Sequence, residues 1–97
     1  IDYPTVDQEI AIIKARSPDV PEMLARKVVT AVNHLRRRDL TKPPGIAETL
    51  DWVAALAVVG SRDLDAQSAR DTLGSVIKDR DDLTDVASDI DTVVSHA

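Results

Sequence analysis

The stretch Ile46-Ala47-Glu48-Thr49-Leu50-Asp51-Trp52-Val53-Ala54-Ala55-Leu56-Ala57-Val58-Val59 decides the fold class. Ile46, Leu50, Val53, Ala54 and Ala57 recur at helical spacing on one face, and Trp52, Leu56 and Val59 on another, so the segment reads as a helix with two apolar faces. A helix of that kind is expected at the centre of a bundle, with Trp52, Leu50 and Val53 in its core or at an interface. Gly60 follows as the residue that ends it. In front of it, Asp39-Leu40-Thr41-Lys42-Pro43-Pro44-Gly45 has no periodicity, and its two prolines keep the preceding residues out of helical angles, which predicts a rigid loop.

Working outward, Thr5 and Gln8 form a capping-box pattern ahead of Val6, Ile10 and Ile13, and predict a helix from Thr5 to about Arg16. Asp7 and Glu9 in its first turn and Lys14 and Arg16 in its last suit the helix dipole. Ser17-Pro18-Asp19 breaks it. A second helix is expected from Val20-Pro21 to near Arg38, with Leu24, Val28, Ala31, Val32 and Leu35 on one stripe. Asp65 is placed to cap another, with Ala69, Leu73, Val76 and Ile77 buried and Gly74 weakening it. Leu83, Val86, Ile90, Val93 and Val94 then make a last amphipathic segment, a short helix or a tail. No segment alternates as a strand does, and aromatic residues are 2% of the chain, so the reading is an all-α bundle of four to five helices.

Composition narrows the chemistry. The chain has 97 residues, 43% of them hydrophobic and 30% charged, which is enough for one small core. Without cysteine there is no disulfide, thiolate zinc site or thiol nucleophile, and His34 and His96 lie too far apart in sequence for a helical metal pair. The three glycines do not make a phosphate-binding loop, and Ser95-His96 lacks the strained turn of a nucleophile. Asp79, Asp81, Asp82 and Asp85 lack the glycine and closing glutamate of a calcium loop and read as a solvated acidic surface. No apolar run approaches a membrane span, and the composition fits a cytoplasmic protein. The net charge of −5 is uneven, +2 over residues 1–45 and −7 over residues 46–97. The densest positive feature, Arg36-Arg37-Arg38, is read first as complement to a helix C-terminus and second as a phosphate-binding patch.

Four stretches carry a resemblance: Ile1-Asp2-Tyr3-Pro4-Thr5, Ala15-Arg16-Ser17-Pro18-Asp19-Val20, Lys42-Pro43-Pro44-Gly45-Ile46-Ala47-Glu48-Thr49-Leu50-Asp51-Trp52 and Asp71-Thr72-Leu73-Gly74-Ser75-Val76-Ile77-Lys78. Over residues 1–82 the chain resembles the C-terminal helical lid of the MoxR-like AAA+ ATPases. The resemblance implies a hinge at residues 1–4 leading from an absent α/β ATPase module, a lid at 5–80, and a terminal helix or tail at 81–97. It implies that ATP and magnesium belong to a parent protein forming a homo-oligomeric ring, with a von Willebrand A-domain protein as a possible partner in chaperone-like maturation of metalloenzymes. Nucleic acid and membrane are not among the partners it implies. The chain has no Walker motif of its own, so by itself it is expected to hydrolyse nothing. Where many such lids place a sensor arginine, this chain has Pro44-Gly45-Ile46-Ala47-Glu48; either another cation senses nucleotide, with Lys42 and Arg70 as the candidates, or the lid closes without direct phosphate contact. The alternative is an autonomous interaction bundle that uses an acidic face.

Overall fold

A computed structural model describes residues 2–97. Among the described residues there are six α-helices and no strand: α1 (Val6–Arg16), α2 (Glu22–Arg36), α3 (Ile46–Val58), α4 (Ala66–Thr72), α5 (Arg80–Ala87) and α6 (Ile90–Ser95), with a 3₁₀ turn at Leu73–Ser75. The all-α expectation holds, with one helix more than the upper count expected. The excess arises in the C-terminal segment, which folds as two short helices broken at Ser88-Asp89. Their buried Val86, Ile90 and Val93 belong to the same core as α1 to α4.

Local chemistry explains most boundaries. At α1 the Thr5 hydroxyl accepts from the Gln8 backbone N–H at 3.1 Å and the Gln8 side chain accepts from the Thr5 N–H at 2.9 Å, which completes the capping box. Helix α2 begins one residue after Pro21 and stops at Arg36, two residues short of expectation. Its last turn tightens, and the N–H groups of Arg37 and Arg38 reach the carbonyls of His34 and Leu35 at 3.1 Å each. Helix α3 ends in a Schellman arrangement: Gly60, at φ 74, donates to the Ala57 carbonyl, and Ser61 to that of Leu56. Asp65 caps α4 as expected, by accepting from the Ser68 N–H at 2.8 Å. The helix expected to run on to Ile77 instead turns 3₁₀ after Thr72, whose hydroxyl is drawn to the Ser68 carbonyl at 2.7 Å. That tighter turn still delivers Leu73, Val76 and Ile77 to the core.

The largest buried face belongs to α2, where Val28, Val29, Ala31, Val32 and Leu35 are fully enclosed. It packs against α1, α3 and α6. Helix α3 buries Trp52 and Leu56 from one expected apolar face and Val53 from the other, but leaves Ala54, Ala57 and the following Val59 exposed, so its buried side is a single stripe straddling the two, and Leu50 is half-buried at the core's edge. No described helix is long and apolar enough to cross a membrane.

Candidate functional site

The loop before α3 is built by carboxylates acting on backbone N–H groups. Asp82, 5% exposed, accepts from the N–H of Thr41 at 2.9 Å and of Lys42 at 2.8 Å. Burial pushes its carboxyl upward, and these two backbone donors outweigh that effect, so its pKa lies below the ordinary 3.8. Asp82→Ala is therefore expected to lower the thermal unfolding midpoint and to speed amide exchange at Thr41 and Lys42 before the rest of the chain. Unchanged exchange at those two amides would contradict this.

Three residues on, Glu48 Oε1 accepts from the Gly45 N–H at 2.8 Å, and a Cβ at Gly45 would lie 3.2 Å from that oxygen. A carboxylate thus already occupies the anion position at the N-terminus of α3. Lys42, Pro43 and Glu48 meet Val76 and Lys78 around a depression of about 380 Å³. Lys42 and Lys78 are exposed there, and Lys78 Nζ lies 3.6 Å from Asp51 Oδ2. Arg70 is exposed on α4 and does not line the depression. The two candidate cations therefore do not share this depression, which Lys42 lines together with Lys78. In the sequence Lys78 reads as an unremarkable polar residue after a buried run; only the chain reversal at Leu73–Ser75 carries it to the Lys42 loop.

Behind this surface lies a buried polar cluster. Arg36 makes a two-pronged ion pair with Glu9, Nη1 to Oε1 at 2.8 Å and Nη2 to Oε2 at 2.9 Å, with side-chain exposures of 4% and 0%. Arg36 Nε donates to the Pro44 carbonyl at 2.8 Å, and its guanidinium lies 4.1 Å from the centre of the Tyr3 ring. The Thr49 hydroxyl donates to Glu9 Oε2 at 2.8 Å. Nearby, Trp52 Nε1 donates to Thr72 Oγ1 at 2.8 Å, and both residues are buried.

The arginine run is consequently not one patch. Arg36 is internal, and Arg38 reaches Asp89 at 2.9 Å and Asp85 at 3.1 Å, leaving Arg37 exposed. The acidic run is also partly spent inside the fold: Asp79 caps α5, Asp82 holds the loop, and Asp85 pairs with Arg38. Among the described residues no three His, Cys, Asp or Glu side chains form a group able to hold a metal.

No protein-family model, curated protein or solved structure matches this chain.

The histidines, distant in sequence, stack face to face between α2 and the end of α6, with ring centres 4.1 Å apart and planes 15° apart. His34 Nε2 is buried without a hydrogen-bond partner, while His96 Nδ1 is 2.8 Å from the Thr92 carbonyl. Burial first, then His96, Arg38 and Arg37, lower the His34 pKa below 6.5 against the opposing pull of Asp89. The unfolded chain then takes up this proton at a higher pH than the folded one. His34's contribution to stability is complete above pH 6.5 and is lost as pH falls through the folded value. Urea midpoints compared at about pH 7.5 and about pH 5 should fall for the wild type and fall less for His34→Gln. Equal losses in the two proteins would remove His34 from the cause.

Proposed function

We propose that the chain is the helical lid of a MoxR-like AAA+ ATPase, helping to enclose ATP and passing the motion of its hydrolysis to chaperone-like remodelling. The observation that supports this reading most is how the resembling stretches meet. Tyr3 lies on Arg36, and Arg36 holds the Pro44 carbonyl. Thr49 reaches Glu9 beside that pair, and Trp52 bonds Thr72. Three of the four stretches, far apart in sequence, thus meet along the first half of α3, which is how parts of a single working unit are expected to behave.

In this reading Lys42 and Lys78 face the nucleotide as point charges, and Glu48 keeps the N-terminus of α3 from serving as a second phosphate site. Two ammonium groups on an open depression suit the charge of a polyphosphate. Magnesium and the hydrolytic machinery belong to the rest of the parent protein, which would assemble as a ring. In this reading residues 1–4 are the hinge to the ATPase module, with the Tyr3 ring resting on Arg36.

The first test is the reading frame upstream of Ile1. A phosphate-binding loop with its lysine, followed by a strand ending in an acidic pair, is the expected finding. A start codon directly before Ile1 would overturn the proposal and leave an autonomous interaction bundle.

A further inference from the structure

A groove of about 520 Å³ lies on the side of the molecule formed by the α1–α2 turn and the C-terminal half of α3. Its floor is Leu24, Val53, Ala54 and Ala57, and one wall is the Ser17–Val20 turn, part of the one resembling stretch that the proposed function leaves unused. The wall is braced. Lys14 Nζ donates to the Pro18 carbonyl at 3.1 Å and also to that of Val20, so the turn is held open by an internal cation. Opposite it, the Schellman end of α3 fixes Gly60 and Ser61.

The groove is apolar beyond its floor. Val58, one helical turn from Ala54, is 86% exposed and continues the same face of α3. Arg16 and Arg62 line the groove's edges, both exposed, and among the described residues neither lies within ion-pair distance of a carboxylate. Asp19 is the single carboxylate lining it. Arg37, Arg70 and Arg80 are likewise without a carboxylate at ion-pair distance among the described residues, but only Arg16 and Arg62 flank this exposed aliphatic strip.

We infer that this groove docks an acidic amphipathic helix of a partner protein, its aliphatic side chains on Leu24, Val53 and Ala57 and its carboxylates on Arg16 and Arg62. The floor calls for aliphatic side chains at i, i+3 and i+4, and the rim for carboxylates beside them. A nucleic-acid strand would find only these two cations and an overall negative chain. The groove is on different residues from the Lys42–Lys78 depression, so the inference does not depend on the lid reading.

The test uses the full chain and a short designed helical peptide with leucine along one face and glutamate on the other. Amide chemical shifts should move at Ser17–Leu24 and Ala54–Arg62 on titration. Arg16→Ala with Arg62→Ala should weaken binding roughly tenfold, as should raising the salt from about 0.05 M to about 0.5 M. Ala57→Glu, at an exposed helical position, should block binding while circular dichroism stays unchanged. The inference is overturned if a lysine-for-glutamate version of the peptide binds as tightly, if shifts map elsewhere, if neither variant weakens binding, or if sedimentation shows a second copy of the chain already covering the groove.

Discussion

Arg36→Met is expected to destabilise the chain by about 3–5 kcal/mol, because it strands the Glu9 carboxylate in a site with no exposure. That is a large part of the ~5–15 kcal/mol that holds a small domain together. The loss has four sources: two charge-assisted bonds to Glu9, the Nε bond to the Pro44 carbonyl, the Nη1 bond to Asn33 Oδ1, and the contact with Tyr3. Thr49 remains as one donor to Glu9 and does not neutralise it. Glu9→Leu combined with Arg36→Met should recover much of the stability, since no buried charge is then left alone. The Thr49 hydroxyl retains the Gly45 carbonyl at 3.1 Å, whereas the Pro44 carbonyl loses its donor, so recovery should be incomplete. Chemical denaturation of the four proteins in a double-mutant cycle measures this. Additive losses would mean that the two side chains do not act as a pair.

Trp52→Ala should cost about 3–5 kcal/mol by the same measurement. The indole is completely enclosed, the largest fully buried side chain among the described residues, and its removal leaves a cavity in the core. It also strips Thr72 Oγ1 of its donor. Trp52→Phe separates the two effects: most of the packing survives and the hydrogen bond does not, so a loss of about 1–2 kcal/mol is expected. A change under about 1 kcal/mol for the alanine variant would mean that Trp52 is not a core residue.

How much of this was legible in the sequence differs from element to element. The capping box at Thr5 and Gln8, the Asp65 cap and the helix end at Gly60 are signals within a few residues, and all three stand in the structure. The exposed face of α3 was misread because Ala54 and Ala57 are apolar enough to fit a buried stripe and small enough to stand in solvent. Only the limited number of packing partners decides between those. The C-terminal helices were ambiguous for a related reason: Val86, Ile90 and Val93 fit one helical stripe, and the break at Ser88-Asp89 carries neither Gly nor Pro.

At the candidate site, the resemblance offered Lys42 and Arg70 as candidate cations, Lys42 first because it sits just before the helix whose N-terminus would face the nucleotide. It did not point to Lys78, whose place depends on the 3₁₀ reversal after Thr72. The arginine run was the most visible cationic feature, yet its first and third members are committed to Glu9 and to Asp85 and Asp89. Those partners lie 27, 47 and 51 residues away in sequence, so no local pattern shows them. The His34–His96 stack is hidden for the same reason.

The lid reading is tested most directly by steady-state ATP hydrolysis in the protein encoded by the complete reading frame, with residues 5–80 present, deleted, or carrying Lys42→Ala and Lys78→Ala. The account predicts that deletion abolishes hydrolysis and that the double replacement raises the KM for ATP with a smaller effect on kcat, while Arg70→Ala leaves both near wild type. Full hydrolysis by the deleted protein would contradict it, because a lid that encloses the nucleotide cannot be dispensable for its turnover.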